Sequence, residues 1–72
     1  RNPEQTRAAI LDLCRDRYLS LRQLSHLLER QQETLREGFI TPMVNEGALE
    51  LRYPESPTHP EQAYRTRRAS GT

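Results

Sequence analysis

The hydrophobic period of this chain changes at Gly47, and that change constrains the fold more than any other feature of the sequence. Before Gly47, apolar residues recur at spacings of three and four, as on one face of a helix. After it, Ala48 to Tyr53 alternates apolar and polar side chains, which is typical of a half-buried strand. The sequence therefore predicts helices up to Gly47 and an extended segment beyond it.

The first helix is predicted to begin at Asn2 and Pro3. Asn can cap a helix, and Pro fits the first helical position because its missing N–H would have no partner there. The apolar residues Ile10, Leu13 and Cys14 follow at helical spacing on one face. We therefore interpret Cys14 as a small core residue.

The second helix has a sharper start signal. Ser20 and Gln23 form a Ser-x-x-Gln capping box, and Leu19 and Leu24 are spaced as a hydrophobic staple. This helix is predicted to start at Ser20 and to end near residues 29–30, with His26 exposed to solvent. Its apolar face is predicted to consist of Leu21, Leu24, Leu27 and Leu28.

A third helical pattern runs from Gln31 to Asn45 and is interrupted by Pro42. Proline removes a backbone donor and crowds the carbonyl four residues back, here that of Gly38, so we expect a bend rather than a break. Gly47 fits the left-handed residue that often ends a helix. The apolar side is predicted to carry Leu35, Phe39, Ile40, Met43 and Val44.

Two short strands complete the pattern, the first at residues 48–53 and the second at residues 62–66. The loop between them contains three prolines, which favour extended or turned backbone. Another extended piece is predicted at residues 17–19. This order of elements is that of an α+β winged helix-turn-helix, three helices followed by a two-stranded hairpin wing, which we predict over residues 1–66 with a flexible tail at 67–72.

Length and composition limit the functions open to the chain. With 72 residues, a hydrophobic content of 33%, no Trp and one Phe, the chain is too small to wall a deep substrate cavity alone. We therefore predict a binding module rather than an enzyme. The net charge is +1. Residues 1–50 contain seven Arg and eight acidic residues, whereas residues 51–72 contain four Arg and two, so the basic character lies at the C-terminal end.

Cysteine usage and hydropathy bear on location. A single cysteine cannot form an internal disulfide, so we expect a reducing compartment such as the cytoplasm. No apolar run approaches the roughly 18 residues that span a bilayer, and we expect no membrane association. Because the chain begins with Arg1 rather than Met, we expect it to be part of a longer protein.

No catalytic, cofactor or metal site is predicted. The chain has no phosphate-binding loop and no lysine to reach a phosphate. Cys14, His26 and His59 lie on three different predicted elements, so they lack the spacing of metal ligands. Ser20 is used as a helix cap and is not available as a nucleophile.

The C-terminal hairpin carries a long motif, YP-x-x-P-x-HP-x-QAYRT, at residues 53–66. It resembles the end of the winged-helix domain of bacterial RecG-related ATP-dependent DNA helicases, which also carry a divergent AlbA-like ATPase domain. The segments Thr34-Leu35-Arg36, Pro42-Met43-Val44 and Glu46-Gly47-Ala48-Leu49 are similar to the third helix and strand entry of the same family. The resemblance covers residues 10–66 and implies that helicase and ATPase activity belong to the parent protein. A related wing also ends some Fic-type AMP-transferases.

Duplex DNA is the predicted partner, with the third helix in the major groove and the wing on the backbone. Gln and Thr can read base edges, and arginines can contact phosphates. The segment from Arg30 to Asn45 has zero net charge, so we expect weak binding by the isolated domain. The residues predicted to bind DNA are Gln31, Gln32, Thr34, Arg36, Thr41, Arg52, His59 and Arg65.

Two alternatives stay open from the sequence. Arg36 is also placed to lie along the core and reach a carboxylate, which would be a structural role. The whole domain is also compatible with protein docking, either on another domain of the parent chain, including a Fic-type parent, or on a second copy.

Overall fold

The computed structural model describes residues 3–67, which form three helices followed by a two-stranded antiparallel hairpin. This is the α+β winged helix-turn-helix architecture expected from the sequence. The predicted cap at Asn2 and residues 68–72 of the predicted tail lie outside the described residues.

The second helix begins directly after Ser20, as its capping box predicts, and it ends close to the predicted end near residues 29–30. Helix α1 spans Pro3–Leu13 and helix α2 spans Leu21–Leu28. The Ser20 hydroxyl accepts from the N–H of Gln23, and the Gln23 side chain accepts from the N–H of Ser20, which completes the capping box. Glu29 ends α2 in the left-handed conformation, with φ of 55°.

The third helix runs through residues 32–45 as three consecutive segments. An α-helical turn at Gln32–Leu35 is followed by a π-helical turn at Arg36–Ile40 and by a second α-helical turn at Thr41–Asn45. In the π-helical turn, the N–H of Thr41 donates to the carbonyl of Arg36, five residues back. The widened turn comes just before Pro42, whose ring would crowd a carbonyl in a regular α-helix. The helix therefore continues unbroken through the proline, as expected.

The hairpin is shorter than predicted. Strand β1 spans Leu49–Leu51 and strand β2 spans Tyr64–Thr66, with Glu50 opposite Arg65. The N–H and carbonyl of Leu19 also pair with Tyr64, at 2.9 and 2.8 Å, so the predicted extended piece before α2 adds to the sheet. The sheet is therefore joined to the segment before α2 through Leu19 and to the end of the third helix through β1.

The core lies between the three helices and the inner face of the hairpin. Cys14 is fully buried there, as predicted, and His26 is exposed, also as predicted. The buried cluster consists of Ile10, Cys14, Leu19, Leu24, Leu35, Ile40, Met43 and Leu49.

The position of Leu27 corrects the predicted apolar face of α2. Its side chain is 50% exposed, whereas Leu24 is fully buried and Leu21 and Leu28 are partly buried. The buried stripe follows residues 21, 24 and 28, and Leu27 lies about a quarter of a turn outside it. Four leucines on an eight-residue helix therefore form a narrower buried face than the sequence pattern indicates.

Candidate functional site

An open groove runs between α2 and the beginning of the third helix. Its volume is about 830 Å³, and it continues past the turn toward Thr34 through two smaller depressions. The side chains that line its main part are Arg17, Leu19, Arg22, Gln23, Ser25, His26, Leu27 and Gln32. Arginine and amide groups on a concave, exposed surface can donate hydrogen bonds to an anionic partner.

The arginines that border this groove form no ion pairs with carboxylates of residues 3–67. Within residues 3–67, the ion pairs with carboxylates involve Arg7, Arg15, Arg36 and Arg65. Three further arginines border the groove or its continuation: Arg17, Arg22 and Arg30. Arg17 is anchored by a 2.8 Å hydrogen bond from its Nε to the carbonyl of Leu13. Glu29 lines the continuation beside Arg30, so three arginines and one acid border the groove, whereas the exposed side of the third helix carries Glu33, Arg36 and Glu37.

Three of the predicted DNA-binding residues lie along this groove. Gln32 borders its main part, and Gln31 and Thr34 border its continuation beside Arg30. All three are exposed. The structure thus brings the predicted base-reading residues at the start of the third helix together with the arginines.

Arg36 and Thr41 line a separate cleft of about 340 Å³ between the third helix and the wing. The Arg36 Nη2 donates to Glu33 Oε2 at 2.7 Å and lies 3.9 Å from Glu37, which agrees with the alternative of a carboxylate partner. Burial raises the pKa of Tyr64 on the wing side of this cleft, and the positive charge of Arg36 partly opposes that rise. Arg36 is therefore engaged within the molecule.

The wing loop is held together by its own side chains. The rings of Tyr53 and His59 stack with their centroids 3.9 Å apart, and the Nδ1 of His59 accepts from the N–H of Glu61 at 2.9 Å. The buried amide of Gln62 accepts from the N–H groups of Tyr53 and Ala63. It donates to the carbonyls of residues 53, 56 and 57. The side chain of His59 thus folds back on the loop, although the sequence places it near the tip.

The other two predicted wing residues lie on the outer face of the hairpin. Arg65 donates from Nε to Glu50 Oε2 at 2.7 Å, and this hydrogen bond raises the pKa of its guanidinium. Arg52 is exposed, and its guanidinium carbon lies 5.5 Å from the ring centroid of Tyr53. The eight predicted residues therefore occupy four separate places: the groove, the cleft, the wing loop and the outer face of the hairpin.

Nucleophilic or metal chemistry finds little support among the described side chains. Burial raises the pKa of the Cys14 thiol to about 11, so the thiol stays protonated at neutral pH. The part of the chain from residue 3 to residue 67 contains no cluster of His, Cys, Asp or Glu that could hold a metal ion. None of the helices in the same range is long and apolar enough to cross a membrane.

Sequence reasoning missed two residues that organise this region, Gln62 and Tyr18. Gln62 lies in the quoted motif, but only the closed loop shows that its amide binds backbone groups up to nine residues away. Tyr18 precedes α2 and lies under two arginines of the hairpin, 4.6 Å from Arg65 and 6.0 Å from Arg52. No local sequence pattern predicts the contacts of Tyr18 with these arginines, because the contacts depend on the pairing of Leu19 with Tyr64.

Comparison with known proteins gives one strong structural similarity. No protein-family model matches the sequence, and no curated protein matches it. The fold is similar to part of a Fic family protein from Desulfovibrio desulfuricans G20, with a TM-score of 0.79 and 25% sequence identity over 93% of this chain. The match covers 21% of that protein, so the chain spans about a fifth of its length. The similarity agrees with the winged-helix architecture and with the prediction that related wings occur in Fic-type proteins.

Proposed function

We propose that this domain binds duplex DNA through the groove between α2 and the third helix. The observation that carries the proposal is that Arg22 and Gln32 line the main part of the groove, while Arg30 and Gln31 line its adjoining continuation. Arginines neutralise phosphates, and Gln side chains can hydrogen-bond to base edges at the start of a recognition helix. The winged helix-turn-helix fold supports the same function.

Binding by the isolated domain is weak and sensitive to salt. Glu33 and Glu37 are exposed on the third helix and offset part of the positive charge. With about three phosphates neutralised, the slope of log Kobs against log salt concentration is about −3, and Kd lies at about 10⁻⁴ to 10⁻⁶ M. The domain acts without a cofactor or metal of its own, and the parent protein works in the cytoplasm.

Fluorescence anisotropy of a labelled duplex, measured at several salt concentrations, tests the proposal. Arg22→Gln and Arg30→Gln are each expected to weaken binding and to reduce the magnitude of the salt slope by about 1. Arg15→Gln is the matched control, because Arg15 is equally cationic but pairs with Asp12 on α1 at 3.3 Å. Equal slopes for all four proteins, or no binding by the wild type at low salt, would contradict the proposal.

Two similarities bear on the parent protein. The resemblance of the wing to that of RecG-related ATP-dependent DNA helicases supports a parent that acts on DNA. The similarity to a Fic family protein supports a parent of the Fic type. In either parent, this domain is a non-catalytic module, and the chemistry belongs to other parts of the chain.

A second candidate function is protein docking, and Leu27 is the observation that favours it. Half of this large apolar side chain is exposed, and it lies in the groove itself. Exposed leucine within a concave surface is a common feature of protein interfaces. Concentration-dependent dimerisation in sedimentation equilibrium that disappears in Leu27→Ser, together with absence of DNA binding, would favour this candidate.

A further inference from the structure

Guanidinium and aromatic groups alternate across the outer face of the hairpin. The guanidinium carbon of Arg65 lies 4.6 Å from the ring centroid of Tyr18, and that of Arg52 lies 6.0 Å from the same ring and 5.5 Å from the Tyr53 ring. Tyr53 is itself stacked on His59. The side chains come from the segment before α2, from the two residues that follow β1, from the wing loop and from β2, so the folded hairpin is needed to assemble them.

The two arginines of this face differ in whether they pair with a carboxylate. Arg65 forms a salt bridge with Glu50, its cross-strand partner, through both Nε and Nη2. Arg52 makes no salt bridge with any carboxylate of residues 3–67, and it is exposed. The sequence gives no basis for this distinction, because both are arginines of the same short hairpin.

We propose that the outer face of the hairpin contacts the DNA phosphate backbone through Arg52, which Tyr18 and Tyr53 position, and that Arg65 has a structural role. This inference rests on the proposed DNA-binding function and assigns the phosphate contact of the wing to one residue. The occupant is a phosphodiester backbone, because Arg52 is an exposed cation without an ion pair to any carboxylate of residues 3–67, and its donors match phosphate oxygens.

The aromatic neighbours favour this role. A guanidinium that lies over an aromatic ring contacts the ring with its flat face. The N–H groups at the edge of the guanidinium remain free to donate to a phosphate. Two rings that hold the side chain also reduce the conformational entropy that Arg52 loses when it binds. Tyr18 and Tyr53 therefore act as positioning residues.

Salt-dependent anisotropy with a labelled duplex separates the two arginines. Arg52→Gln is expected to reduce the magnitude of the salt slope by about 1. The double variant Glu50→Gln, Arg65→Gln is the control, because it removes the ion pair of Arg65 while the net charge stays the same. Its slope is expected to equal that of the wild type.

A matched pair at position 18 tests the positioning role. Tyr18→Phe keeps the aromatic face, and its affinity is expected to equal that of the wild type. Tyr18→Leu removes the face, and its affinity is expected to fall about two- to fivefold. Thermal unfolding of both variants identifies any loss that comes from an unfolded domain, and a loss of affinity in Tyr18→Leu that follows its unfolded fraction overturns the positioning role.

Outcomes for this inference and for the proposed function are distinguishable. A wild-type domain that binds with a salt slope, but keeps that slope in Arg52→Gln, overturns only the assignment of Arg52. The assignment of Arg52 is also overturned if the salt slope of the double variant Glu50→Gln, Arg65→Gln is smaller in magnitude than that of the wild type. A wild-type domain that does not bind DNA overturns both proposals.

Discussion

At the residue scale, the amide of Gln62 organises the wing loop. It is buried and bonds to the backbone of Tyr53, Ser56, Pro57 and Ala63. Gln62→Ala removes the partner of the buried N–H of Ala63 and of several partly buried backbone groups, so the free energy of unfolding is expected to fall by about 1 to 2 kcal/mol. Urea denaturation measures the change. Glu61→Ala, at the exposed neighbouring position, is expected to change it by less than about 0.5 kcal/mol, and a loss of similar size in both variants would contradict this account of Gln62.

Cys14 gives the molecule a predictable response to alkaline pH. Burial raises the pKa of its thiol from 9.0 to about 11. Between about pH 9 and pH 11 the unfolded thiol loses its proton while the folded one keeps it, so the free energy of unfolding falls as pH rises. The stabilisation is fully present below pH 9 and is lost as pH rises through 11.

Urea denaturation of the wild type and of Cys14→Ala from pH 8 to pH 11 measures this response. The alanine variant is expected to lose less free energy of unfolding over that range. Some dependence remains in both proteins, because burial also raises the pKa of Tyr64. Identical pH dependence in the two proteins would show that the thiol ionises equally in the folded and unfolded states.

At the element scale, the capping box fixes the start of α2. Ser20 Oγ accepts from the N–H of Gln23 at 3.1 Å, and Gln23 Oε1 accepts from the N–H of Ser20 at 2.9 Å. Ser20→Ala is expected to lower the free energy of unfolding by about 1 kcal/mol, whereas Ser20→Gly lowers it by only a few tenths. Thermal or urea unfolding of both variants checks this order. Equal stability of Ser20→Ala and the wild type would mean that packing alone determines the start of the helix.

Elements that depend on local signals could be predicted from the sequence, and those that depend on distant contacts could not. The capping box of Ser20 and Gln23 is local, and it predicted the start of α2 at Ser20. The π-helical turn before Pro42 could not be predicted, because it reconciles the proline with the burial of Ile40 and Met43 in the core. The predicted strands were too long because alternation continues beyond the residues that find a partner.

The candidate site could be predicted only in part, for the same reason. Exposure of Gln31, Gln32 and Thr34 follows from the helical period, and the structure agrees. Whether Arg52 and Arg65 form an ion pair depends on their cross-strand neighbours. The strand register places Glu50 opposite Arg65, and a sequence does not give the register. The orientation of the His59 side chain toward the wing loop depends on the stacking of its ring on Tyr53, which the sequence does not reveal.

At the scale of the whole molecule, arginines fall into two groups with different roles. Some join elements: Arg7 of α1 pairs with Glu46 after the third helix, and Arg65 pairs with Glu50 across the hairpin. Others border the groove or lie on the outer face of the hairpin, among them Arg22 and Arg52. A net charge of +1 therefore includes five acids that pair with arginines within residues 3–67, while the groove and the outer face of the hairpin carry arginines outside these ion pairs.

The measurement that tests the central claim most directly is a ¹⁵N-¹H correlation NMR titration of the domain with a short duplex at low salt. The account predicts the largest amide shifts at Arg22, Gln23, Gln31 and Gln32, with little change at Arg15 in the turn after α1, and predicts that added salt reverses them. Shifts confined to α1 and the turn that carries Arg15, or no shifts at low salt, would contradict the claim that the groove between α2 and the third helix is a DNA-binding surface.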